Sequence, residues 1–357
     1  MLLKKFNYFK NIKKISRKEK SNINRIKYIR LDKNERIIKF ENFFLNKIKK
    51  KLSSHHLHTY PSLNNIYKII AKKEKLNTKN LILTNGSDIA IKRCFELFGR
   101  KKSEIITLNP TYGMVDVYCK LFEVRQKKVD CDKNLIFDGY KILNKINKKT
   151  SLIIIANPNS PTGKIIPMET IELILDKAKK NNSYVLLDEC YYDYSNFTTI
   201  GLIKEYKNLI VCRSFSKVGL AGCRVGFLAT NSVTRDILYK FRPFYEITSF
   251  SAFVLEEFLK HDSLIKNYAK KITEGKKIIE NFFKKKNIKY FSTSTNFIIF
   301  TLNNKKLTKK VYIKLKQNLF LVNIIKKISS NYDLIKFTLG PKKIMNKFIN
   351  MIDQEIK

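Results

Sequence analysis

Between about residues 80 and 230, short apolar runs alternate with helix-length amphipathic ones, and this alternation constrains the fold more than any other feature of the chain. Leu81–Thr84 reads as a strand with a helix, Ile89–Phe98, behind it; Glu104–Leu108 and Met114–Phe122 repeat the unit. Leu152–Ala156 is a third strand, followed after a loop by the helix Met168–Lys180. Tyr184–Leu187, Leu209–Cys212 and Gly226–Ala229 are further strands. Repeated strand–helix units imply an α/β fold, a mainly parallel sheet covered by helices on both faces. Such sheets bind their ligands at the carboxyl ends of strands.

After Pro243 the pattern changes. A helix over about Ser263–Lys286, a strand at Asn296–Phe300, a helix near Leu307–Leu315, strands near Phe320–Ile325 and Leu334–Leu339, and a helix from Lys342 describe a smaller α+β unit. The expected division is a basic arm over residues 1–35, a large domain over 36–245 and a small domain over 246–357.

The net charge of +42 attracts polyanions through its field alone. A dedicated nucleic-acid binder concentrates its lysines on one face or in a tail. Here they run through almost every segment, so the charge reads as a bias of a solvated surface, with no specific nucleic-acid partner expected. No apolar run approaches the roughly 20 residues that span a bilayer, which argues against a membrane protein. Residues 1–30 hold eleven Lys or Arg and one acid, Glu19, without the apolar stretch of a signal peptide. The six cysteines occur singly, several in apolar segments, as small buried hydrophobes do in a reducing compartment. A cytoplasmic location is expected. His55, His56 and His58 crowd the stretch before Tyr60, but no Cys or Glu is spaced to complete a zinc site with them, so no metal is expected.

The chemistry concentrates at strand ends. Behind Leu209–Cys212 come Ser214, Ser216 and Lys217, then Gly219, Gly222, Arg224 and Gly226. Lysine forms imines with carbonyl compounds. Ser214 and the forked donors of Arg224 suit a phosphate. These are the parts needed to hold a phosphorylated aldehyde as a Schiff base. Asp188 ends an apolar strand, where a carboxylate is costly unless it meets a cation or donors, and a protonated pyridine nitrogen is such a partner. Tyr191, three residues on, can bring its phenol to the ring oxygen. Asn157, Asn159 and Ser160 lie in the Asn157–Gly163 loop, where Asn can donate to that oxygen or simply make turns. Gly86, Ser87 and Asp88 open a helix whose free N–H groups suit a phosphate, or cap it. Tyr112 can stack on a flat ring or pack, and Tyr60-Pro61 can be a surface turn.

Together these residues resemble the fold-type-I pyridoxal-phosphate enzymes, and among them the histidinol-phosphate aminotransferase family. The likeness begins at Leu31-Asp32-Lys33-Asn34-Glu35 and runs through Tyr60-Pro61, Gly86-Ser87-Asp88, Pro110-Thr111-Tyr112 and the Asp188…Tyr191 pair. It continues through Ser214-x-Ser216-Lys217, Leu220-Ala221-Gly222-x-Arg224 and Asn296-Phe297. The resemblance implies a pyridoxal 5'-phosphate-dependent aminotransferase acting on an amino donor and a 2-oxo acid. It assigns the Schiff base and proton transfer to Lys217, the pyridine nitrogen to Asp188 and the ring hydroxyl to Tyr191. Ser214, Ser216, Arg224, Ser87 and Asp88 would surround the phosphate, Tyr112 would stack on the ring, and Asn296 and position 336 would meet substrate. Tyr60 would reach the phosphate of a second subunit, making a homodimer. A relative with the same fold, the threonine-phosphate decarboxylases, is the alternative, and behind it a non-catalytic polyanion-binding protein on the same scaffold.

Three departures stand out. Ser160 occupies the position where the family usually has Asn before Pro-Thr-Gly, which moves the expected ring-oxygen donor to Asn157 or Asn159. The Lys217–Arg224 spacing is one residue short of the family's, so that loop must be rebuilt. The family's late Arg, which clamps a substrate anion, is here Lys336, which lacks the bidentate fork. An altered substrate anion, or help from other cations such as Lys326, is expected.

Overall fold

The computed structural model describes residues 15, 24–100, 102–325 and 333–356. After a two-residue strand β1 (Ile29–Arg30) come β2 (Leu81–Thr84), β3 (Glu104–Asn109), β4 (Arg125–Asp130), β5 (Thr150–Ala156), β6 (Tyr184–Asp188), β7 (Leu209–Ser214) and β8 (Gly226–Thr230). The last seven form one sheet in the order β2-β8-β7-β6-β5-β3-β4. Neighbours from β7 to β4 are parallel, and β8 runs antiparallel to β7 and β2. The fold is thus the expected α/β arrangement. Leu152–Ile155 and Val185–Leu187 are buried on both sides because helices cover both faces. Ile171, Ile174 and Leu175 of the helix Met168–Lys180 close one face, and Ala90, Ile91 and Phe95 of the helix Gly86–Phe98 help close the other.

The small layer contains β9 (Lys289–Phe291), β10 (Phe297–Thr301), β11 (Phe320–Leu321), β12 (Asn323–Ile325) and β13 (Leu334–Thr338). Four of these make an antiparallel sheet in the order β12-β13-β10-β9, while β11 pairs in parallel with β1. The helices Asp262–Lys285 and Lys342–Ile356 pack against them through Tyr268, Ile272, Phe283, Phe348 and Ile352. Among the described residues no helix is long and apolar enough to cross a membrane.

Two expected boundaries change. Residues 25–35 are not a free arm: Ile29 pairs with Phe320, and Leu31 is fully buried in the small-layer core. The Leu31 carbonyl accepts from the Thr338 N–H at 2.8 Å. Alternating Ile29 and Leu31 supply the apolar side that anchors this segment; the remainder of the expected arm, apart from residue 15 and Asn24, lies outside the described residues. The helix Ser249–Leu259, expected to open the small domain, packs through Leu255 and Phe258 into the large core instead. The small layer's own core begins at Tyr268.

A buried ion network stiffens the sheet edge beside Asp188. Arg213 donates to Glu189 Oε2 from Nε at 3.1 Å and Nη2 at 3.0 Å, and to Glu74 at 2.7 Å. Thr198 and Thr199 hydroxyls complete the Glu189 carboxylate at 2.9 and 2.8 Å. Removing one member of a buried pair strands the other, at about 3–5 kcal/mol. Arg213→Met is therefore expected to lower the unfolding free energy by about that amount, measured by urea denaturation of the cofactor-free protein.

Candidate active site

The parallel register sets Ala156, Asp188 and Cys212 side by side at the carboxyl ends of β5, β6 and β7. Above them opens a cleft with about 560 Å³ of empty space. Its walls bring together Asp188, Tyr191, Ser214, Ser216, Lys217 and Arg224 with Ser87, Asp88, Tyr112 and Ser160. Those ten residues were anticipated from the sequence; Ala156, Pro158 and Cys190, which complete the lining, were not.

Lys217 lies in a single π-turn, Ser216–Leu220, that leaves the end of β7. The turn is held by the Tyr194 hydroxyl, which donates to the Lys217 carbonyl at 2.8 Å. The lysine Nζ sits 5.7 Å from the centroid of the Tyr191 ring and donates weakly to the Lys33 carbonyl at 3.5 Å. Asp188 is 8% exposed and accepts the Cys190 N–H at 3.1 Å. Burial pushes its carboxyl above the usual carboxylate range, opposed by the Cys190 hydrogen bond and the Lys217 charge. A cationic N–H donor would relieve that desolvation.

On the opposite side the helix Gly86–Phe98 points its N-terminus at the cleft. Gly86 has φ +75°, and a Cβ there would stand 2.9 Å from Arg224 Nη2, so the missing side chain is the space the guanidinium occupies. Arg224 closes the shortened loop from Lys217 in the left-handed conformation, φ 55°. No ion pair reaches Arg224 among the described residues. The Ser216 hydroxyl is buried without a hydrogen-bond partner, while Ser214 Oγ accepts the Ser216 N–H at 3.2 Å. A free guanidinium, an orphaned hydroxyl and a helix N-terminus around one space form a seat for a phosphate. Asp88 also lines the cleft, and its carboxylate accepts from the Tyr118 hydroxyl at 2.9 Å. Burial, then Asp88 and Asp188, push the Tyr112 phenol up, keeping it neutral.

The remaining expected site residues fall elsewhere. The Asn157 amide donates to the Ile166 carbonyl at 3.0 Å and accepts the Ile166 N–H at 2.8 Å. The Asn159 amide oxygen accepts from the Thr162 N–H and hydroxyl, and its nitrogen donates to Thr111. Neither amide lines the cleft; Ser160 is the member of this loop's polar trio on the cleft wall. Asn296 is fully buried and does not line the cleft: its Nδ2 donates to the Asn34 carbonyl at 2.9 Å. Tyr60 is 78% exposed and stacks on Tyr245, 4.4 Å between centroids, in a separate groove.

Asn34 is the residue that the sequence showed only as part of a motif. It is buried with φ 56°, and its Nδ2 donates to the Tyr191 hydroxyl at 2.7 Å. Its Oδ1 accepts from Lys336 Nζ at 3.2 Å and its N–H binds Thr338 Oγ1 at 3.0 Å. Lys336 also lies over the Phe297 ring at 4.7 Å and has no carboxylate at ion-pair distance among the described residues. Burial, then the nearby Lys217 charge, lowers its amine to about 7. Lys326 lies outside the described residues.

Residues 34–337 match the family model of aminotransferase class I and II. The chain belongs to that family. The aminotransferase is 31% identical over 292 residues to the histidinol-phosphate aminotransferase of Clostridium novyi, covering 80% of this chain and 81% of that one. The structure of the histidinol-phosphate aminotransferase from Sinorhizobium meliloti, solved with pyridoxal-5'-phosphate, shares its fold at a TM-score of 0.84 and 17% identity over 98% of both chains. The L-threonine-O-3-phosphate decarboxylase of Porphyromonas gingivalis shares it at 0.74 and 15%, over 92% of this chain and 99% of that one. The aminotransferase is thus a fold-type-I, pyridoxal-phosphate-dependent enzyme, and the phosphate seat and Asp188 described above fit that cofactor.

Placing a Cβ at Gly86 forces a left-handed alanine, at roughly 1–2 kcal/mol, and displaces Arg224. Gly86→Ala is expected to weaken pyridoxal phosphate binding about tenfold, where each 1.4 kcal/mol is one decade. Fluorescence titration of the cofactor-free protein measures this; an unchanged affinity would remove Arg224 from the phosphate seat.

Proposed function

We propose that the aminotransferase moves an amino group between a small anionic amine, of the phosphorylated kind named by its histidinol-phosphate relatives, and a 2-oxo acid. The observation that carries the anionic part is the buried Lys336 ammonium, set beside the cleft with Asn34 Oδ1 and an aromatic face but no carboxylate. A buried cation without a counter-charge is costly, and a substrate anion offsets that cost.

Bound pyridoxal phosphate supplies the electron sink that lets the amine's Cα–H bond break. In this reading Ser216, Arg224, Ser214 and the first turn from Ser87 hold its phosphate, Asp188 pairs its pyridine N–H, and Tyr112 covers its ring. Tyr191 and Ser160 are the hydroxyls available to its ring oxygen, with Tyr191 oriented by the Asn34 amide. Lys217 Nζ would anchor the aldehyde and, once freed by the incoming amine, would take the Cα proton and return it to the cofactor's aldehyde carbon on the other side of the substrate nitrogen. Lys336 binds the substrate's anion and so turns the Cα–H bond toward Lys217.

The decarboxylase reading needs the substrate's carboxylate rather than its hydrogen aligned for cleavage. Incubation with an amino donor and 2-oxoglutarate separates the two: transfer of nitrogen supports the aminotransferase, and carbon dioxide release without transfer overturns the reading. Lys217→Ala is expected to abolish transfer and to remove the cofactor's lysine-linked visible absorbance band. A homodimer is part of the proposal, supported by Tyr60 and Leu57, which line one groove at 78% and 76% exposure, and by Phe244, 81% exposed and edge-on to Tyr245 of that groove. A cytoplasmic location fits the family and the unpaired thiols.

The lysine clamp carries a pH signature. Because its pKa is lowered to about 7, Lys336 is cationic below that pH and loses its charge as pH rises through it. Inhibition by a dicarboxylate that does not itself ionise from pH 6 to 9 is expected to weaken about tenfold per unit above 7. Lys336→Arg, charged throughout, should flatten that dependence. A wild-type profile as flat as the variant's would show that position 336 does not read the anion.

A further inference from the structure

Cys190, on the cleft wall, and Cys212, buried on β7, both lie beside Asp188, and neither has a part in the proposed reaction. The register that pairs Asp188 with Cys212 on adjacent parallel strands sends both side chains to the same face of the sheet. Cys190 returns to them two residues after Asp188, its N–H already bound to the carboxylate at 3.1 Å. The two sulfurs and a carboxylate oxygen all lie within 4.8 Å of one another, and all three residues are buried. Two thiolates and one carboxylate around a tetrahedral zinc-class ion, with Zn–S near 2.3 Å and Zn–O near 2.0–2.2 Å, are separated by roughly 3.5–4 Å. Among the described residues this is the one group of three His, Cys, Asp or Glu whose ligand atoms come within 4.8 Å of one another.

We propose that the cofactor-free aminotransferase binds one thiophilic divalent cation of the zinc class at Asp188, Cys190 and Cys212, and that this ion and pyridoxal phosphate exclude one another. Asp188 and Cys190 line the cleft, which gives the ion a path in, and three protein ligands leave a fourth position for solvent. Each thiol releases its proton to solvent as it ligates, so one cation replaces two protons and the oxidation states stay unchanged. The exclusion rests on the function proposed above, because Asp188 cannot ligate an ion and pair a pyridine N–H together. The metal site itself does not rest on it.

Cadmium serves as the probe, since its thiolate bonds absorb in the near ultraviolet. The cofactor-free protein, freed of metal with a chelator, is expected to take up one equivalent with that absorbance and to bind zinc in competition with a chromogenic chelator. Cys190→Ala and Cys212→Ala should each lower zinc affinity at least tenfold, and the double variant should lose the thiolate band; circular dichroism checks that each variant folds. One equivalent of cadmium should prevent cofactor loading, and chelator should restore it. Unchanged zinc affinity and thiolate absorbance in the double variant would overturn the site. Cadmium bound with its thiolate band while cofactor loads normally would overturn the exclusion. Failure of the metal-free protein to load cofactor at all would instead count against the proposed function.

Discussion

A carboxylate buried at a strand end is unstable on its own, and Asp188 is held there by the parallel ladder of β5, β6 and β7. Because the ladder is in register, Asp188 cannot retreat to solvent without breaking strand pairing. Its unmet demand for a cationic donor is therefore a property of the sheet rather than of one flexible side chain. Neighbouring features follow from the same strand ends. Lys217 leaves β7 on a turn braced by Tyr194, and Arg213, one residue before Ser214, locks Glu189 beside Asp188. The Arg213 network makes this edge stiff where the chemistry needs fixed positions.

The small layer reaches the site through Asn34. Its amide joins the Tyr191 hydroxyl on one side to Lys336 on the other, while Asn296 and Thr338 fix its backbone. Tyr191 and Lys336, the residues proposed for the ring oxygen and the substrate anion, are thus connected by one side chain. Phe297 adds a second link, edge-on to Tyr191 at 5.5 Å and beneath Lys336. A change of residue at position 336 therefore acts on Tyr191 as well as on substrate.

Much of this was legible in the sequence. β5, β6 and β7 each hold an apolar run, Leu152–Ala156, Tyr184–Leu187 and Leu209–Cys212, followed at once by a polar residue, a signal that survives any local detail. β4 was not legible: of Arg125–Asp130 only Val129 is buried, because an edge strand faces solvent and carries charge. Why Asn157 and Asn159 do not line the cleft was not legible for a related reason. An amide that donates to a ligand and one that ties a loop are the same residue in the same motif, and only coordinates reveal which atoms are already used. Cys190, in the turn after β6, and Cys212, on β7, lie 22 residues apart, so no spacing rule brings them together.

The two ends of the described chain meet in the small layer, where Ile29 and Leu31 pack with residues from Tyr268 to Ile352. This layer is discontinuous in sequence, closed by contacts of very high sequence separation, and such contacts form late because loop closure must precede them. During synthesis the segment that carries Asn34 leaves the ribosome long before its partners Asn296, Lys336 and Thr338 exist. The large sheet can assemble first, and the residue that joins both halves of the site takes its place only when the last strand and helix arrive. Assembly order thus makes the completed small layer a check on the whole chain: a truncated product would retain Lys217 and Asp188 but lack an ordered Tyr191 hydroxyl.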